Sequence, residues 1–138
     1  MSCSRASHTA TLLPDGRVLL AGGKCDDGYN DTILDDAQLF DSVTGEFSRL
    51  AATMNDHRSE HTATLLPGGQ VLLVGGLAQD WKPSITAELL MASTSILVST
   101  GNMTHARAGH TATLLLDGRV LVAGGASDKS AEIYTQQP

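Results

Sequence analysis

The apolar positions of this chain fall into short runs, not long stripes. Three times a β-branched run, His8–Leu13, His61–Leu66 and His110–Leu115, leads into a turn signal. The turns are Pro14-Asp15-Gly16, Pro67-Gly68-Gly69 and Leu116-Asp117-Gly118. A continuous apolar run follows each: Val18–Ala21, Val71–Val74 and Val120–Ala123. Such a run, bounded by turn residues, suits a strand buried on both faces. A glycine pair then closes it, at Gly22-Gly23, Gly75-Gly76 and Gly124-Gly125. Glycine there permits a backbone conformation or a close approach that a side chain forbids.

Third strands are predicted at Ala37–Asp41, Ala87–Met91 and Ala131–Thr135. Fourth strands are predicted at Glu46–Leu50 and Ser95–Ser99, and the third copy stops at Pro138 before reaching one. The pattern therefore predicts eleven strands and no helix. The spacing is 53 residues from His8 to His61 and 49 from His61 to His110. A period near 50 belongs to repeat architectures whose unit is one small sheet.

The repeated string Arg-x-x-His-Thr-Ala-Thr-Leu-Leu-x-x-Gly-Arg-Val-Leu-x-x-Gly-Gly resembles kelch repeats. It is closest to a bacterial branch similar to the central propeller domain of galactose oxidase. The second copy has Gln70 at the second Arg. The resemblance covers nearly the whole chain and implies an all-β fold of kelch-type β-propeller blades. Their expected ranges are about 5–53, 58–103 and 107–138, the last lacking its outer strand. The chain departs from the animal kelch pattern, with Phe47 and Leu97 where a fourth-strand Trp is usual.

Propellers close with roughly four to eight blades. Three blades are therefore expected to be a segment of a longer propeller, half of a six-bladed ring completed by a second copy, or an open half-ring.

Composition narrows the function. The formal charge is −6, and the three lysines are Lys24, Lys82 and Lys129. A nucleic-acid partner needs a basic stripe, and none is visible. No apolar stretch approaches the ~20 residues of a membrane-spanning helix. Met1–Thr11 lacks the apolar centre of a secretory signal, so the compartment is not read from this end. Cys3 and Cys25 flank a predicted hairpin, which leaves open either a bridge or two unpaired thiols.

Strand alternation locates the candidate site. Loops joining strands two and three share a face with the connectors between blades, and the tight turns lie opposite. The long loops are the variable ones, and loops on a rigid scaffold usually carry function. The resemblance implies the same face. Arg5, Arg58 and Arg107, with His8, His61 and His110, stand where that face meets the innermost strand. One reading is a ring of cations for an anion or sugar hydroxyls. The favoured one is structural, each Arg pairing with Glu88, Glu132 or a carbonyl and each His holding a turn.

Non-repeated residues say more about a ligand. Asp26, Asp27, Asp31, Asp35 and Asp36 crowd one loop and could hold calcium, but their spacing is not that of an EF-hand. A solvated acidic loop is the plainer reading. Trp81 could stack on a sugar or anchor a partner, or pack on its own blade. His57 and His105 lie in connectors and form no metal set. The galactose oxidase likeness would imply a copper centre with two tyrosines, two histidines and a cysteine. Tyr29, Tyr134, Cys3 and Cys25 match no such site. The expectation is a binding module for a protein or glycan, without a cofactor. The rival is part of a secreted oxidase-like or carbohydrate-active enzyme whose catalytic residues lie outside this chain.

Overall fold

The computed structural model describes residues 1–137; Pro138, the end of the third expected blade, lies outside them. Among these residues the chain is all-β. Blade 1 consists of β2 (Thr9–Leu12), β3 (Val18–Ala21), β6 (Ala37–Asp41) and β7 (Glu46–Arg49), hydrogen-bonded in that order. Blade 2 consists of β8 (Thr62–Leu65), β9 (Val71–Val74), β10 (Ala87–Met91) and β11 (Ile96–Ser99). Blade 3 has three strands, β12 (Thr111–Leu114), β13 (Val120–Ala123) and β14 (Ala131–Tyr134). All pairings are antiparallel, and the sheets do not close into a ring.

The hairpin turn is built identically three times. The amides of Leu13, Leu66 and Leu115 donate to the carbonyls of Arg17, Gln70 and Arg119 at 2.7–2.8 Å.

Fourteen strands are present where eleven were expected. The extra three are β1 (Arg5–Ala6), β4 (Lys24–Asp26) and β5 (Asp31–Ile33), which form a small sheet of order β1-β4-β5. The stretch Lys24–Asp36, expected as a loop, is thus largely a hairpin. Its turn is made by carboxylates: Asp26 Oδ1 accepts from the Gly28 amide, and Asp27 Oδ1 from those of Tyr29 and Asn30. Asp and Asn are poor strand formers, which hid the hairpin from its composition. Cys3 and Cys25 are joined as a disulfide, Cα–Cα 6.2 Å, tying the N-terminal segment to β4.

The core is two sandwiches between blades. Leu19, Leu39 and Met54 of blade 1 and its connector meet Val71, Leu73 and Leu90 of blade 2. Leu66, Leu72 and Val74 on the other side of blade 2 meet Val120 and Val122 of blade 3. Each blade thus has an upstream and a downstream apolar face. Strand β9 is buried on both, as its unbroken apolar run requires. Strand β13, of like composition, is only alternately buried, because no blade covers its downstream face.

The first glycine of the first two closing pairs, Gly22 and Gly75, lets the next blade approach. A Cβ on Gly75, at φ +61°, would lie 2.7 Å from the Arg107 carbonyl oxygen and 2.9 Å from His110 Cε1. A Cβ on Gly16, at φ +88°, would meet nothing within 4 Å. Gly16→Ala should therefore cost about 1–2 kcal/mol, the left-handed backbone penalty alone. Gly75→Ala adds overpacking and should cost roughly 2–5 kcal/mol. Urea unfolding of the two variants checks the order.

Candidate ligand face

Each repeated Arg is the hub of its blade. The Arg58 side chain is fully buried; its Nη1 donates to Gly75 O at 2.8 Å and Thr86 O at 3.1 Å. Its Nη2 donates to Thr86 Oγ1 at 2.8 Å and Glu88 Oε2 at 2.9 Å, and Nε reaches the same oxygen at 3.2 Å. Arg107 repeats this with Gly124 O, Ser130 O, Ser130 Oγ and Glu132. The other oxygen of each glutamate holds the connector: Glu88 Oε1 accepts from the Asn55 amide at 2.8 Å and Glu132 Oε1 from Thr104 at 2.6 Å.

Blade 1 reaches the same end with the residues exchanged. Gln38 stands where Glu88 and Glu132 stand, and Asp36 where Thr86 and Ser130 stand. Arg5 Nη1 donates to Gly22 O at 3.1 Å and Nη2 to Asp36 Oδ2 at 3.1 Å. Gln38 Nε2 also donates to Asp36 Oδ2, at 3.1 Å, and to Ser2 Oγ at 2.7 Å. The exchange leaves Arg5 Nε and Asp36 Oδ1 buried and without a partner. Burial alone would raise the Asp36 carboxyl. The hydrogen bonds from Arg5 and Gln38, with the Arg5 and Arg49 charges, outweigh it and hold the group below its ordinary range.

The backbone of the same Arg binds the preceding blade. The Gly23 amide donates to Arg58 O at 2.7 Å, and the Gly76 amide to Arg107 O at 2.8 Å. His61 Nε2 shares a 2.9 Å hydrogen bond with Thr9 Oγ1, and His110 Nε2 a 3.0 Å one with Thr62 Oγ1. Burial, reinforced by the charges of Arg58, His110 and His8, pushes His61 down from 6.5 to about 3. Burial and Arg107 also lower His110. The repeated Arg58 and Arg107, with the imidazoles of His61 and His110, thus hold blades together, and the two guanidinium groups are engaged by internal acceptors.

The residues facing solvent on this side are the non-repeated ones. Trp81 is 45% exposed, at φ +63°, in a turn where its amide donates to Ala78 O at 2.8 Å. Tyr29, at the tip of the β4–β5 hairpin, is 92% exposed. Both lie between strands two and three of adjacent blades, so strand alternation puts them on one face. Tyr29 was not among the ligand-face residues expected from sequence. The signal that could have shown it is Asp27-Gly28-Tyr29-Asn30, a turn that lifts an aromatic clear of the sheet.

Asp26 and Asp31 are exposed opposite each other in β4 and β5, and Asp27 is engaged in the turn. With Asp36 turned to Arg5 and Asp35 toward His57, the five aspartates do not converge. Among the described residues no group of three His, Cys, Asp or Glu is placed to hold a metal ion. His57 Nδ1–H donates to Ile33 O at 2.7 Å, bracing the hairpin, and half-exposed His105 lies 3.1 Å from Asp128. Tyr134 is 3.2 Å from Thr100 Oγ1 beside the second core, far in role from exposed Tyr29.

No family model matches the chain. Over 77 residues it is 38% identical to Kelch domain-containing protein 9 of Mus musculus, a stretch covering 53% of this chain and 20% of that protein. The chain thus spans about a fifth of the length of that relative. The chain has kelch-like β-structure. The likeness and the all-β blades agree on that much.

Two predictions follow from the hubs. Asp36→Thr leaves a buried guanidinium without a carboxylate and should cost about 3–5 kcal/mol. Adding Gln38→Glu rebuilds the blade 2 arrangement and should restore most of that stability in thermal melts. The second concerns pH. Unfolded His61 takes a proton near pH 6.5, whereas the folded ring resists it until about 3. Stability is therefore complete above pH 6.5 and falls as the pH drops toward 3. Urea titrations from pH 7.5 to 4 should show this slope, and His61→Gln should flatten it.

Proposed function

We propose that this chain is a kelch-type interaction module. It holds a protein or glycan partner on the long-loop face, with Tyr29 and Trp81 as anchors. The observation that carries this reading is the pair of exposed aromatics on hairpin tips of neighbouring blades. Large aromatics in water are the usual anchors of a binding surface. A Trp with positive φ adds to it, since strain of that kind costs roughly 1–3 kcal/mol and clusters at ligand sites. The repeated Arg, with His61 and His110, support the same reading from the other side, because internal bonds already engage them. Asp26 and Asp31 flank the Tyr29 hairpin and would favour a partner with hydroxyls or cations.

The motif's likeness to galactose-oxidase-type propellers supports the rival, a segment of a secreted oxidase-like or carbohydrate-active enzyme. On that reading the reacting residues are supplied by sequence outside this chain. Both cysteines are engaged with each other in the structure, so a thiol for such a centre would have to come from elsewhere.

The test separates binding from folding. Ligands are first selected from a glycan array and a displayed peptide library. Titration calorimetry then compares wild type with Tyr29→Ala and Trp81→Gly. Each variant should lose at least about tenfold in affinity, roughly 1.4 kcal/mol. Trp81→Gly should meanwhile fold as stably as wild type or about 1 kcal/mol more so, since glycine relieves the strained turn. Unchanged affinity in both variants sinks the assignment.

A further inference from the structure

We propose that Asn30 and Asn102 carry N-linked glycans. Each opens an Asn-x-Thr triplet, Asn30-Asp31-Thr32 and Asn102-Met103-Thr104, with no proline at the middle position. That triplet is the acceptor for N-glycosylation and belongs on the surface of a secreted protein. The group attached is an oligosaccharide, joined through an N-acetylhexosamine to the side-chain amide nitrogen.

The chain has three asparagines, and the fold sorts them. Asn55 is followed by Asp56 and His57, so it lacks the hydroxyl. Its side chain is tied into the fold: Nδ2 donates to Ser99 Oγ at 3.1 Å, beside the backbone amide that donates to Glu88 Oε1. Asn30 and Asn102 are both exposed. Asn30 is held through its backbone amide, which donates to Asp27 Oδ1 at 2.8 Å and leaves the side chain in water at the hairpin tip. The two asparagines that have the hydroxyl are thus the two whose side chains face solvent.

The threonines of both triplets are exposed as well. Thr32 stands in β5 directly opposite Cys25 of β4. Around Asn102 the backbone is pinned one residue later, where the Met103 amide donates to Ile85 O at 2.8 Å and the Thr104 amide to Glu132 Oε1 at 2.6 Å. The exposure of Asn102 belongs to its place in the connector. Thr53 holds the same place in the preceding connector, one residue before Met54 as Asn102 is before Met103, and it is exposed although blades 1 and 2 are both complete around it. Strand alternation puts both asparagines on the long-loop face. A glycan leaving either side chain displaces no packed group.

The disulfide is the independent observation. Cys3 and Cys25 are joined, which uses both cysteines of the chain. Disulfides persist along the secretory route and are rare in the cytosol, where thiols are kept reduced. The transferase that modifies Asn-x-Thr works on that same route. In the step it catalyses, Asn Nδ2 attacks the anomeric carbon of a lipid-pyrophosphate-linked oligosaccharide. A C–N bond forms as the C–O bond to the pyrophosphate breaks. The lipid pyrophosphate leaves with the bonding pair, and Nδ2 gives up one proton to a base of the transferase. Asn30 adjoins Tyr29, so its glycan borders the proposed partner surface. The modification does not rest on that reading, since it is detected with no partner present.

Peptide mass spectrometry of the protein isolated from its natural source tests this. The Asn30 and Asn102 peptides should each carry an N-acetylhexosamine-linked glycan, and peptide N-glycosidase should leave aspartate at both positions. The same chain secreted from a eukaryotic cell supplies the variants. Thr32→Ala and Thr104→Ala should each remove one glycan, seen as one step of gel mobility. Thr32→Ser and Thr104→Ser should keep both glycans, and so should Asn55→Gln. Natural protein with both asparagines bare and the disulfide formed overturns the proposal. Natural protein with Cys3 and Cys25 reduced overturns it too, since the compartment is then the wrong one. So does a glycan that survives both threonine-to-alanine changes together, since the attachment is then elsewhere.

Discussion

A propeller blade has two apolar faces, and neither can be covered by the blade itself. Everything else in this structure answers to that constraint. Blade 2 satisfies it on both sides, and its second strand is buried along its whole length. Blades 1 and 3 satisfy it on one side only. The hydrophobic effect supplies the drive for such stacking but no direction. Direction comes from polar groups that fit one way round: the Arg carbonyl on the glycine amide, and the imidazole on the threonine hydroxyl.

The buried guanidinium has two jobs, and they explain why it recurs. Its side chain closes its own blade by joining the end of the second strand to the start of the third. Its backbone receives the preceding blade. A buried charge is costly unless it is well paired, and five contacts surround the guanidinium in blades 2 and 3. Blade 1 has the carboxylate two residues earlier and an amide in its former place. The exchange preserves the charge pair and sacrifices the bond to Arg5 Nε. The arrangement therefore constrains where a negative charge stands in space, and more loosely which residue carries it.

This division of labour also sorts the residues of the loop face. What repeats is buried and holds the scaffold. What does not repeat, Tyr29 and Trp81 above all, is exposed on hairpins that the scaffold positions. His57 and Asp27 belong to the support of those hairpins: one braces the Tyr29 hairpin through Ile33, and the other shapes its turn.

The all-β class, the repeated blades and the tight turns were legible in the sequence. Each depends on local alternation and turn chemistry, and the repeat states them three times. The pairing of the arginines with Glu88 and Glu132 was legible too, as one option beside a backbone carbonyl, and the structure uses both. The partner of Arg5 was not, because Gln38 occupies the expected position and Asp36 looked like one more acidic loop residue. The β4–β5 hairpin was hidden because its strands are short and rich in aspartate. Tertiary structure alone decided which apolar residues are core and which are exposed. Val71 and Val18 occupy the same position in the repeat, yet only Val71 is fully buried. Burial depends on what lies across the face, and that is a property of the neighbouring blade, which no local pattern encodes.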